Sequence, residues 1–146
     1  MALLNYTTEI QAIKTIGQIT GILVAHGARE IFTAYDDNGH VEALSFNVWR
    51  GQQVIPFRLP VDAKSTLRVL ERQKVPKRYM NYAHAVRVAW RIIKDWVEAQ
   101  MALLETEMAS LEQIFLPYMI VHDDQTLYEV MAERQFLLPV GKERDG

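Results

Sequence analysis

The chain has 146 residues, 49% apolar and 23% charged, with a formal net charge of −2 and no cysteine. This is about one domain's length with ordinary globular composition, which excludes disorder, disulfides, thiolate catalysis and cysteine-held zinc or iron–sulfur centres. No apolar run approaches the roughly 18–20 residues of a membrane span, and Met1 to Asn5 lacks the pattern of a signal peptide, so a cytoplasmic location is expected.

Leu4, Tyr6, Thr8 and Ile10 alternate with polar neighbours and predict a short edge strand. Ile13, Ile16, Ile19, Ile22 and Leu23 then recur at helical spacing, and His26-Gly27 reads as the helix end. Gly17 and Gly21 fall on one face of that helix, where close packing on a sheet or a partner would compensate their poor helix propensity.

From Arg29 the period changes to two. Ile31, Thr33 and Tyr35 alternate, and Asp36-Asp37-Asn38-Gly39 is a turn. Val41 to Trp49 is a strand with Leu44, Phe46 and Val48 on one side, and Ala43, Ser45, Asn47 and Trp49 on the other. Arg50-Gly51-Gln52 turns into a third strand, Val54 to Leu59, which Pro56 places at an edge or bulge.

Asp62 is suited to cap a helix ending near Arg72, and Gln73 to Asn81 is a basic loop. Asn81 is suited to cap a long helix running toward Phe115, with Pro117 as its stop. That helix is apolar on most sides between Val86 and Val97, which predicts burial against the sheet and a second subunit, hence a homo-oligomer. Thr126 to Gln135 reads as a last short helix. The expected fold class is α+β: an antiparallel three- to four-stranded sheet with helices mainly on one face and one long helix in the C-terminal half. Residues 1–140 form a single domain and 141–146 a flexible tail.

Charge is unevenly distributed. Residues 62–94 hold nine Lys/Arg against two Asp/Glu, whereas 95–146 hold three against eleven. Such asymmetry marks an anion-binding surface beside an acidic segment, or two segments that neutralise each other. Within the basic stretch Arg87, Arg91 and Lys94 recur at i, i+4 and i+7, forming a cationic stripe next to Trp90, with Arg72, Lys74, Lys77 and Arg78 upstream. Arginine forks bind phosphate and aromatic faces stack on bases. Lys77, Arg78, Arg87, Arg91 and Lys94 are therefore the candidate phosphate ligands, and Tyr79, Tyr82 and Trp90 the candidate stacking residues. In the alternative reading the aromatics are core and the cations solvated or paired.

Motifs for nucleophilic, phosphate-loop or zinc chemistry are missing, and His122-Asp123-Asp124 is the one triplet that resembles a metal or acid–base cluster. A non-catalytic protein without metal or cofactor is expected.

Leu4-Asn5-Tyr6-Thr7-Thr8, Lys14-Thr15-Ile16, His26-Gly27-Ala28 and Phe57-Arg58-Leu59-Pro60 resemble a family of short uncharacterised phage and prophage proteins. Arg87-Val88-Ala89-Trp90-Arg91, the run from Lys94 to Gln100 and Phe115-Leu116-Pro117-Tyr118 extend the resemblance over most of residues 4–130. It carries no established activity and implies a bacterial host cytosol by context. With the basic stretch it suggests sequestration of an anionic nucleotide, such as a host immune signal. The alternatives are binding of single-stranded DNA or RNA, and inhibition of a host protein through an acidic helix around Glu105 to Glu112.

Overall fold

The computed structural model describes residues 2–137, so the expected tail at 141–146 lies outside the described residues. Helix α1 (Ala12–Ala25) is followed by strands β1 (Ala28–Tyr35), β2 (Val41–Arg50) and β3 (Gln53–Arg58), which form an antiparallel meander in the order β1-β2-β3. Helix α2 (Ala63–Arg72), a 3₁₀ turn (Lys77–Tyr79) and the 24-residue helix α3 (Tyr82–Glu105) come next. A small C-terminal unit holds α4 (Leu111–Phe115), the hairpin β4 (Ile120–His122) and β5 (Gln125–Thr126), and α5 (Leu127–Glu133). The class is α+β, as the periodicity predicts.

Alternation along β2 sorts the sheet's two faces. Leu44, Phe46 and Val48 are buried under the helices, while Ala43, Ser45, Asn47 and Trp49 stay partly exposed on the far side. Pro56 sits opposite Asn47 in the outer strand β3, beyond which only an isolated bridge from Phe57 to Met119 continues the pairing. Missing one N–H is tolerable at such an edge.

Trp90 is fully buried at 0% exposure and donates its indole N–H to the Val41 carbonyl at 2.9 Å. Ile93, Val97 and Met101 continue its face along α3, against Ile16, Ile19 and Leu23 of α1. Arg91 meets Gln18 midway along α1 and Glu105 meets His26 at its end, so α1 and α3 run side by side in the same direction. Leu70 on α2, with Val75 and Tyr79 after it, closes over Ala85 as a second small core. The apolar circumference of α3 is thus largely covered within one chain by the sheet, α1 and α2, while Leu103 near its C-terminal end stays exposed.

Three elements depart from the sequence expectation. Residues 4–7 form turns, with Asn5 at φ +64°, in place of an edge strand, and Tyr6 is held there by His84. The long helix stops at Glu105 because Glu107 takes a left-handed conformation at φ +62°, and Ser110 starts α4 with a reciprocal capping box. Gly17 and Gly21 face outward on α1, and a Cβ on either would meet nothing within 4 Å, so no sheet packs against them. Each leaves its helix-propensity cost, up to roughly 1 kcal/mol relative to Ala, without a compensating contact inside the chain.

Replacing Trp90 with Phe removes the indole bond and leaves the Val41 carbonyl buried beside a void. The loss should be about 2–4 kcal/mol, read as a fall of about 10 °C in the midpoint of thermal unfolding.

Candidate functional site

Helix α2 starts at Asp62, whose side chain accepts from the Ser65 backbone N–H at 3.0 Å. That bond, with the Ser65 hydroxyl, holds the Asp62 carboxyl below its ordinary range. The buried stripe of α2 turns Leu70 toward α3, so the opposite face meets solvent. Lys64, Arg68 and Arg72 lie on that outer face at i, i+4 and i+8, all exposed, along about 12 Å of helix axis. Past the helix, Lys74 in a left-handed conformation at φ +53° reverses the chain, and Lys77 and Arg78 project from the 3₁₀ turn.

None of these six cations forms an ion pair with a carboxylate among the described residues; Arg50, Arg58 and Lys94, by contrast, each do. Arg68 bonds only Ser65, and the Arg78 guanidinium lies 4.8 Å from the Tyr79 ring centre. Glu71 is the one acidic side chain interspersed among the six.

The loop is anchored from below. Tyr79 is 8% exposed and meets Tyr6 edge-on at 5.7 Å between ring centres. The Leu3 amide donates to the Gln73 side chain at 2.9 Å, tying the N-terminal segment to the same loop. An open cleft of about 430 Å³ lies here, lined by Ala2, Tyr6, Gln73, Lys74, Val75 and Pro76.

The sequence-derived site is only partly brought together. Lys77 and Arg78 are exposed and belong to this basic face. Arg87, Arg91 and Lys94 lie on α3 and are engaged internally. Arg87 donates to His84 Nδ1 at 3.2 Å, and His84 Nε2–H donates to the Tyr6 carbonyl, which sets the tautomer. Arg91 donates to Gln18 at 2.6 Å and more weakly to Thr15, while Lys94 pairs with Glu98 one turn on. Arg87 Nε is buried without a hydrogen-bond partner, so solvent does not reach it.

The stacking residues need a larger correction. Trp90 has no exposed ring face, and Tyr79 is a core anchor under the loop; neither offers a base the open face that stacking requires. Tyr82 is half-buried, edge-on to His40. Burial raises its hydroxyl pKa, and the carboxylates of Asp36, Glu42 and Asp62 raise it further, so its surroundings repel phosphate.

Lys64 and Arg68 were missed beside Arg72 and Lys74, although Lys64, Arg68 and Arg72 are readable from their i, i+4, i+8 spacing once Asp62 is taken as the cap. His122 Nδ1 lies 3.2 Å from the Asp123 carboxylate, both exposed in the β4–β5 turn, and Asp124 is held by Arg58. No group of three or more His, Asp or Glu is placed to hold a metal among the described residues. Glu105 ends α3, Glu107 lies in the break and Glu112 bonds Arg50, so these residues do not share one acidic helix. No helix among the described residues is long and apolar enough to cross a membrane. No protein-family model, curated protein or solved structure matches this chain.

Since Arg91 ties α3 to α1 and Arg87 supports His84, which holds the Tyr6 carbonyl, changing both arginines to Ala should lower stability by about 1–3 kcal/mol. Thermal unfolding would register it, with binding of any anion to the α2 face unchanged.

Proposed function

We propose that this protein is a non-catalytic binder of a phosphate-bearing polyanion, a single-stranded nucleic acid backbone, through the outer face of α2 and the loop that follows it. The observation that supports this most is the set of six exposed cations, Lys64, Arg68, Arg72, Lys74, Lys77 and Arg78, none with a carboxylate partner among the described residues. Stability gives no reason to collect unpaired like charges, which repel one another. A strand of phosphates relieves that repulsion and releases its own counterions. The overall charge of −2 does not oppose this, because at physiological salt charges more than about 8 Å apart at the surface are largely screened. The cations spread along a helix and a loop instead of converging in a pocket, which suits an extended anion.

A second reading, capture of a single nucleotide such as a host immune signal, is favoured by the cleft beside Lys74 and Gln73, whose volume of about 430 Å³ falls within the range of small-molecule sites. The phage-type context of the resemblance suits either ligand.

Anisotropy of a labelled oligothymidylate titrated at several salt concentrations tests the reading. Six phosphate contacts predict a slope of log K against log salt near −4 for a single strand. Changing Lys64, Arg68, Arg72 and Lys77 to Ala should flatten that slope by about 3 and leave the unfolding midpoint in place. Salt-independent binding, or none in dilute salt, rejects the polyanion. Stoichiometric mononucleotide released from the purified protein would favour the second reading instead.

A further inference from the structure

The outer face of α1 is built for contact that the single chain does not supply. Ile13 is 77% exposed, the most exposed large apolar side chain among the described residues, and Val24, at 53%, lies on the same face. Gly17 and Gly21 lie between them with open space where a Cβ would stand, giving a shallow groove flanked by two apolar ridges. The opposite side of the helix, Thr15, Ile16, Ile19 and Leu23, is in the core, so the bare face owes nothing to the chain's own packing. Paired glycines one turn apart let two helix backbones approach closely, and that approach compensates the propensity they forfeit.

The spacing identifies the second helix. Gly17 and Gly21 are symmetric about position 19, and Ile13 and Val24 about a point half a residue earlier, so the pattern reads nearly the same in both directions. Such a face is self-complementary under a two-fold axis, with Ile13 of one copy against Val24 of the other and glycine against glycine. Charge agrees. Lys14 flanks this face, exposed and without a carboxylate partner among the described residues. The same axis carries it to the C-terminal end of the other α1, where the helix dipole is negative. Glu105 stands at that end, 63% exposed and joined to His26 at 3.5 Å.

We propose that α1 is a homodimerisation helix, pairing antiparallel with α1 of a second copy across Gly17 and Gly21, with Lys14 beside the partner's Glu105. This stands independently of the anion-binding reading. One helix face buries less than the roughly 800 Å² per partner of a standard interface, which places the dimer among small, concentration-dependent contacts.

Sedimentation from about 1 to 500 micromolar tests it. The wild-type chain of 16.9 kDa should pass from monomer to a species of twice that mass. The double change Gly17→Leu, Gly21→Leu fits the monomer, since nothing occupies the space, and should raise its unfolding temperature. It should also raise the dimer dissociation constant by about tenfold or more. Lys14→Glu alone should weaken the dimer, and Lys14→Glu with Glu105→Lys should restore it, a rescue that depends on the antiparallel register and not on either glycine change folding well. A wild-type chain monomeric throughout, a dimer indifferent to the leucines, or a charge exchange without rescue each overturns the assignment.

Discussion

A helix apolar on nearly every side must be covered on nearly every side, and α3 is where this chain meets that demand. Trp90 fixes the arrangement: its indole N–H reaches the Val41 carbonyl, so the helix cannot rotate or slide along the sheet without leaving a buried donor and acceptor unpaired. With that contact set, α1 lies along one flank, bonded through Gln18 to Arg91 and through His26 to Glu105. The α2 side closes the other flank through Leu70 and Tyr79. Polar groups therefore hold the flanks while apolar surface supplies the bulk of the stabilisation, as expected where each buried donor must find a partner.

This division of labour decides what is left for binding. Arg91 bonds Gln18 across to α1 and Arg87 bonds His84 within α3, and both bonds serve the fold. The cations of α2 and its loop face the other way and bond no carboxylate, so six unpaired positive charges gather on one surface. Three of the eleven carboxylates of residues 95–146 are held by cations from outside the basic stretch, Glu112 by Arg50 and both Asp124 and Glu129 by Arg58. Among the described residues the one ion pair between the two segments is local, Lys94 with Glu98 one turn on.

Strong periodicity made the meander, the caps at Asp62 and Asn81 and the buried face of β2 legible, because each rests on local chemistry with a fixed repeat. The turn at residues 4–7 was not, since Tyr6 is set by a bond from His84, 78 positions away. The two- and three-residue strands β4 and β5 are too short to show a period at all. The break after Glu105 is hidden in ordinary helix-forming residues, with Glu107 in a conformation its side chain does not advertise. For the site, helical spacing found a cationic stripe but could not say which face of α3 meets solvent. Trp90 and Tyr79 carry the same letters whether they stack on a base or fill a core. What distinguishes the two is the packing of α1 and α2 around them, which is long-range.

Amide hydrogen exchange with and without a saturating single-stranded oligonucleotide tests the central claim most directly, since it maps the bound surface without altering any residue. The account predicts slowed exchange confined to α2 and the following loop, residues 63–79, with α3 unchanged between Arg87 and Lys94. Protection concentrated along Arg87 to Lys94, with the α2 face indifferent, would contradict it.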